Sequence, residues 1–120
     1  MPDAVAHEPI HPDAVAHVKG HLLPVEATME LAERFKLLAD PGRLRMIYAL
    51  LEADELCVRD LAAAVESSES ATSHQLRQLR LAGLVRTRRD GRTVYYRIAD
   101  DHVRILLDVA VAHFLGGDRA

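Results

Sequence analysis

The chain has 120 residues, of which 49% are hydrophobic and 28% charged, so it can bury the modest core of one globular domain. Its 15 Lys and Arg residues against 18 Asp and Glu residues give a formal net charge of −3, and its single cysteine excludes an intrachain disulfide. No apolar run approaches the roughly 20 residues that cross a bilayer, and early acidic residues argue against a signal peptide. The sequence therefore predicts a cytoplasmic protein with no membrane partner.

The first 25 or so residues differ from the rest because they repeat a histidine-containing motif. The sequence PDAVAH at 2–7 recurs at 12–17, and each copy continues to a second histidine four residues later. Prolines and Gly20 discourage a long helix, so we expect a flexible arm with short helical pieces over 1–25. The arm can present paired imidazoles to a metal on helical turns, and the alternative is a solvated tail. The pairs are His7 with His11 and His17 with His21.

The residues after the arm predict four helices, two strands and a closing helix, in that order. Apolar residues at three- and four-residue spacing mark the helices, and Gly83 stands where a helix should end. Two runs rich in β-branched and aromatic residues, 84–89 and 93–98, are joined by Asp90-Gly91, which is a hairpin signal. This layout is that of a winged helix-turn-helix, mainly α with a small β-hairpin. The first predicted helix begins at Ala27 and ends before Asp40, and the second and third cover 43–51 and 58–65. The fourth begins within 67–70 and ends at Ala82, and the closing helix covers about 101–115.

Positive charge is concentrated between His74 and Arg97, where seven arginines stand with one acidic residue, Asp90. Such a concentration in an acidic chain is typical of nucleic-acid binding, and the alternative is a solvated helix with a salt-bridged hairpin. Small polar residues at the start of the fourth helix can approach a major groove and reach phosphates or base edges. The candidate DNA-binding residues are Ser68, Ser70, Thr72, Ser73, His74, Gln75, Arg77, Arg88, Arg89 and Arg92.

Five motifs, which lie in order along about residues 28–115, carry a specific resemblance. They are LADPGRLR at 38–45, ELCVRDL at 55–61, SHQLR at 73–77, LRLAGLV at 79–85 and GRTVYY at 91–96. Together they resemble the ArsR/SmtB family of metal-responsive repressors. The resemblance implies a homodimer, formed through the N- and C-terminal helices, that binds double-stranded operator DNA and releases it when a divalent metal binds. It also implies that residues 70–82 are the recognition helix and residues 85–98 the wing.

The closing helix carries the family's metal-site pattern D-x-H-x₁₀-H in Asp100, His102 and His113. Eleven residues turn a helix through about 1100°, so the two histidines share one face, but they lie about 16 Å apart along the axis. Two nitrogens bound to one ion lie no more than about 4 Å apart, so one chain cannot close the site. Two closing helices that pair antiparallel across a two-fold axis would bring His102 of each chain to His113 of the other. The alternative is a pair of ordinary interfacial histidines.

The sequence departs from the family at Gly116, where a fourth ligand is usual. Asp118, water or an arm histidine would then complete the shell, and arm imidazoles would favour nickel or cobalt over zinc. The metal that we expect at this site is nickel or zinc, and cobalt is a third candidate. A second site type of the family uses Cys57 and Asp60 with arm ligands, for which His17 and His21 are available. The alternative is a small buried cysteine beside a surface carboxylate.

Two competing classes of protein are weighed against this interpretation. No nucleophile elbow, phosphate loop or paired-carboxylate motif is present, so the sequence predicts neither an enzyme nor a small organic substrate. The other alternative is a winged-helix DNA-binding regulator that does not respond to metal. The predicted organisation is a His-rich arm at 1–25, a DNA-binding and metal-sensing domain at 26–116, and a tail at 117–120.

Overall fold

The computed structural model describes residues 7–116, which form six helices and a three-stranded antiparallel sheet. Contacts divide the chain into two units, one ending at Glu33 and one beginning at Arg34. Within the described residues no helix is both long enough and apolar enough to span a bilayer. The elements are α1 Pro12–His21, α2 Val25–Leu38, α3 Pro41–Ala53, β1 Leu56–Cys57, α4 Val58–Val65, α5 Glu69–Leu81, β2 Val85–Asp90, β3 Thr93–Ile98 and α6 His102–Phe114.

The winged helix-turn-helix order predicted from the sequence is confirmed, and local capping explains most of the helix boundaries. The Asp40 side chain accepts a hydrogen bond of 2.9 Å from the backbone amide of Arg43, with Pro41 in the first turn. The segment Asp40-Pro41 therefore separates α2 from α3, and α3 begins at Pro41, two residues earlier than predicted. Ser68 caps α5 in the same way, because its Oγ accepts from the amide of Ala71 at 3.0 Å.

Gly83 ends α5 as predicted, in a left-handed conformation with φ of +79°. Its amide donates to the Arg80 carbonyl, and the amide of Leu84 donates to the Leu79 carbonyl. These two bonds satisfy carbonyls at the end of the helix and turn the chain directly into β2. The helix α5 and the β2–β3 hairpin are thus joined by a short, well-defined turn.

The second unit has one hydrophobic core, and this core fixes which face of α5 is outward. Leu76 and Leu79 of α5 are fully buried, and they belong to the same cluster as buried residues of α3 and α4. Burying a Leu or Ile side chain stabilises a fold by roughly 1.5–3 kcal/mol, so α5 cannot rotate about its axis without a large loss. The cluster comprises Met46, Ile47, Leu50, Leu61, Leu76, Leu79, Val85 and Leu107.

The sheet contains a strand that the sequence analysis missed. The order is β1-β3-β2, in which β3 pairs with both neighbours, and Leu56 of β1 lies opposite Tyr96. A strand of two residues has too little alternation to be recognised from a pattern. The wing is consequently a hairpin whose inner strand is also hydrogen-bonded to the segment that precedes α4.

Candidate nucleic-acid interface and metal centre

The outward face of α5 carries most of the helix side chains predicted to contact DNA. Ser70, Ser73, His74 and Arg77 are all exposed. Residues three and four apart lie on one side of a helix, so these four side chains share a face. A single chain therefore presents hydroxyl, imidazole and guanidinium groups together.

Thr72 does not belong to that face, and the prediction for it is corrected. Its side chain is fully buried and lies on the same side of α5 as Leu76 and Leu79. Among the described residues its Oγ1 has no hydrogen-bond partner. A hydroxyl inside the core cannot reach a phosphate or a base edge, so Thr72 is a core residue.

Two further predicted contacts lie at the edges of the outward face. Ser68 is exposed, but its Oγ already caps α5, so it would reach DNA only from the helix start. Gln75 is half-buried and lies against the start of α3, because a Cβ added at Gly42 would be 3.8 Å from its Oε1. The structure thus separates a central group of four exposed side chains from two that also make structural contacts.

Of the three wing arginines predicted to contact DNA, one is paired within the chain and two lie at the tip of the hairpin. Both Arg88 nitrogens that face Glu55 bind its carboxylate, with Nε 3.2 Å from Oε2, and the guanidinium lies 4.7 Å from the centroid of the Tyr95 ring. The hydrogen bond from Arg88 holds the pKa of Glu55 below its usual value. Arg89 and Arg92 are exposed at the far end of the hairpin. The sequence analysis missed Glu55, since nothing in a sequence pattern pairs it with a residue 33 positions later.

Asp100 and His102 are brought together at the start of α6. Asp100 Oδ1 accepts a hydrogen bond from the His102 amide at 2.8 Å and lies 2.6 Å from Nδ1 of the His102 ring. These two bonds, the backbone one first, lower the pKa of Asp100. The carboxylate therefore fixes the orientation of a ring that is otherwise 86% exposed.

His113 is exposed at the other end of α6, where its ring meets the edge of Phe114 at a centroid distance of 4.9 Å. Gly116 follows the helix with φ of +84°, a conformation that L side chains rarely adopt. Within residues 7–116 no three His, Cys, Asp or Glu side chains cluster closely enough to hold a metal ion. Asp118, a predicted completing ligand, lies outside the described residues.

The residues of the second predicted site type are placed as follows. Cys57 is half-buried at the end of β1, directly before α4, and Asp60 is exposed in the first turn of α4. His17 and His21 are exposed on α1. The assignment of these four residues to a metal stays a prediction.

A pocket of about 280 Å³ lies beside His102, between the start of α6 and the end of α5. Arg34 lines it and donates a hydrogen bond to the carbonyl of Ala82, the residue that caps α5. Sequence reasoning did not find Arg34, because its partner is a backbone carbonyl 48 residues away. The proposed metal-binding end of α6 and the end of the recognition helix thus line one cavity.

Comparison with known proteins assigns the family. Residues 40–87 match the family model described as bacterial regulatory protein, arsR family. The chain is 47% identical over 109 residues to a transcriptional repressor SmtB homolog of Synechocystis sp., which covers 91% of this chain and 82% of the relative. It is 39% identical over 104 residues to a cadmium resistance transcriptional regulatory protein CadC homolog of Staphylococcus aureus, covering 87% of this chain and 85% of the relative.

Solved structures agree with this assignment. The antimony-specific transcriptional repressor AntR superposes with a TM-score of 0.71 at 34% identity, covering 82% of this chain and 89% of that one. A homodimeric winged helix-turn-helix DNA-binding domain from Mycobacterium bovis gives a TM-score of 0.67 at 28% identity, covering 83% and 97%. The curated relatives are transcriptional regulators and not enzymes. The chain therefore belongs to the ArsR/SmtB family of metal-responsive winged-helix transcriptional repressors.

Proposed function

We propose that a cytoplasmic homodimer of this chain represses transcription by binding operator DNA, and that a divalent metal bound between the two α6 helices weakens that binding. The observation that carries the proposal is the arrangement of α6. Asp100 orients the His102 ring at one end of the helix, and His113 is exposed at the other. The chain thus presents two half-sites whose donors are complementary.

The DNA-binding part of the proposal is supported by the outward face of α5 and by the tip of the wing. Two recognition helices related by a two-fold axis read half-sites about 10 base pairs apart, or a small multiple of that distance. In this arrangement Ser73, His74 and Arg77 face the major groove. Arg89 and Arg92 contact phosphates on either side, which adds affinity for any sequence.

The donors at α6 suit a divalent metal in kind. Imidazole nitrogen and carboxylate oxygen are ligands that nickel, zinc and cobalt accept, and such an ion supplies a charge that binds both chains together. The hydrogen bonds from His102 lower the pKa of Asp100, and its carboxylate lies beside the ring, so it can join the ion or hold His102 with Nε2 directed outward. His113 of the other chain supplies the next nitrogen. Asp118, water or an arm histidine completes the shell in place of a side chain at Gly116.

We propose nickel or zinc as the metal, with cobalt as the third candidate. The names of two similar proteins refer to cadmium and antimony, so similarity alone does not select one metal. Soft ions of that kind prefer thiolate ligands, whereas the proposed set at α6 contains only nitrogen and oxygen. The chain's one thiol, Cys57, lies outside that set.

The test is an operator-binding titration with nickel, zinc and cobalt salts added one at a time. Metal-linked release typically corresponds to about 1–3 kcal/mol, so operator affinity should fall about 5- to 150-fold with the correct ion. Asp100→Ala should reduce this response, and Asp101→Ala is the matched control because Asp101 is adjacent in sequence but its side chain makes no capping hydrogen bond. A repressor whose operator affinity ignores all three ions would instead be a metal-independent winged-helix regulator.

A further inference from the structure

The outward face of α5 begins with a carboxylate that the candidate DNA-binding residues do not include. Glu69 is the first residue of α5 and is exposed. Ser73, one of the four exposed side chains of that face, lies one turn further along the helix, so Glu69 adjoins the face. From Ser70 to Arg89 the sequence contains no acidic residue. Glu69 therefore places a negative charge at the edge of a stretch that is otherwise neutral or positive.

An arginine of the neighbouring helix holds this carboxylate. Arg59, in the first turn of α4, has its Nε 3.5 Å from Oε2 of Glu69. The two side chains are 83% and 59% exposed, and an ion pair as exposed as this contributes little to stability. It does restrict the directions in which the carboxylate can point, and it engages Oε2 and not Oε1. The contact therefore orients Glu69 more than it stabilises the fold.

The position of Glu69 decides which groups of DNA its carboxylate would meet. In a helix-turn-helix the second helix lies in the major groove, and its N-terminal residues contact base edges. A carboxylate only accepts hydrogen bonds. Guanine and thymine present acceptors in the major groove, and adenine presents its amino group beside the acceptor N7, whereas cytosine presents only the N4 amino group. Cytosine is therefore the base that a carboxylate at this position binds best.

We propose that Glu69 is a specificity-determining residue that accepts a hydrogen bond from the N4 amino group of a cytosine in each operator half-site, and that Arg59 is its positioning residue. The inference rests on the proposed function, because it needs α5 to lie in the major groove. On a half-site without that cytosine the same carboxylate lowers affinity, since it lies close to phosphates and to base edges that accept. One side chain thus favours one base pair and disfavours the others.

The experiment is selection of bound sequences from a random double-stranded DNA library by the full chain without metal. Affinities are then measured for the selected operator and its single-base variants. Glu69→Gln is the decisive variant, because glutamine has the same size but carries an amide that pairs with N6 and N7 of adenine. The base preferred at one position of each half-site should change from cytosine to adenine. Affinity for the cytosine operator relative to the adenine operator should fall by about fivefold or more.

Two further variants separate base reading from general effects of charge. Glu66→Gln is the matched control, because Glu66 is exposed at the end of α4, three residues before Glu69, and the substitution removes the same charge. It should leave the preferred base unchanged. Arg59→Ala should also keep cytosine as the preferred base, but with smaller discrimination, because the carboxylate is still present and is less restricted.

If Glu69→Gln leaves the base preference unchanged, the inference is wrong and the proposed function stands. An equal fall in affinity for all sequences would then show that Glu69 only stabilises the start of α5. Loss of the preference in Arg59→Ala but not in Glu69→Gln would show that Arg59 reads the guanine of the same base pair, which also overturns the inference. A wild-type chain that selects no sequence would contradict the proposed function as well.

Discussion

The proposed DNA-binding surface and the proposed metal-binding helix differ in how much of a site one chain assembles. On α5, four polar side chains already lie on one exposed face, and the wing is tied to the same unit by Arg88 and Glu55. On α6, His102 and His113 share a face but are separated by three helical turns. In the proposed function the first surface is complete in a protomer, whereas the second becomes a site only when two protomers meet.

This difference explains how one small fold can couple two ligands. Each protomer would bind its own DNA half-site, but binding of a metal shared between two α6 helices would depend on the relative position of those helices. An ion that fixes this position also fixes the spacing of the two recognition helices. In this proposal metal and operator compete through the geometry of the dimer, although they bind different residues.

The largest expected effect comes from breaking the shared site. His102→Ala and His113→Ala should each abolish metal binding at both symmetric α6 sites, because every ion needs one residue from each chain. Mixing the two variants gives heterodimers in which one cross-chain pair is intact and the other has lost both histidines. Calorimetric titration of purified heterodimers should therefore recover one of the two sites. His17→Ala/His21→Ala in both chains removes any contribution from α1.

Heterodimers that recover no site, or that recover both, would contradict the cross-chain pairing. Recovery of both would mean that an ion does not need both histidines. Recovery of none would mean that each ion takes both histidines from one chain, since each chain of the heterodimer lacks one of them.

The second largest expected effect concerns the proposed DNA-binding surface. Arg89→Ala/Arg92→Ala removes two positive charges from each wing, or four from the dimer. Each lost phosphate contact flattens the salt dependence by about 0.9, so the slope of log affinity against log salt should fall by about 3 to 4. Operator and random DNA should lose affinity by a similar factor. Fluorescence anisotropy across a salt series measures both quantities.

Gln75→Ala is the contrasting variant for this prediction. An amide can read a base edge but carries no charge, so preference among operator sequences should change while the salt slope stays the same. A wing double variant with wild-type affinity and slope would show that the wing does not contact DNA.

Particular residues show what the sequence could predict and what it could not. The apolar spacing of the helices and the end of α5 at Gly83 are local features of the sequence, and the predictions that rest on them are confirmed. Thr72 failed because a polar residue near a helix start looks like a contact, whereas its position relative to Leu76 places it in the core. Glu55 and Arg34 were missed because their partners are distant in sequence. For Asp100 the spacing alone could not distinguish a ligand from a side chain that orients His102.

A smaller effect should follow deletion of residues 1–22. If an arm histidine completes the α6 shell, the deletion should lower metal affinity and reduce the coordination number seen by X-ray absorption. The change should be modest, because an arm that ligates also loses conformational freedom. Metal-free operator affinity should stay within about twofold, since the proposed DNA contacts lie within 68–92.

The matched control is Asp118→Ala, which removes the competing completing ligand. Both proteins should be compared with His17→Ala/His21→Ala, so that loss of an ion from α1 is not mistaken for loss of a ligand at α6. An unchanged absorption spectrum and affinity after the deletion would leave Asp118 or water as the completing ligand.

The smallest expected effect concerns the contact that holds the wing within a single chain. The hydrogen bond from Arg88 lowers the pKa of Glu55 in the folded protein, so the unfolded chain binds a proton more readily than the folded one. Such a group adds stability above its unfolded pKa of about 4.3, and this contribution is lost as the pH falls through the lower folded value. Glu55→Gln should therefore be slightly less stable than wild type in urea at neutral pH, and the difference should shrink below about pH 4. Glu52→Gln, an exposed substitution on α3, is the control. If the stability difference between Glu55→Gln and wild type stays constant down to acidic pH, Glu55 acts through packing and its ion pair with Arg88 does not stabilise the wing.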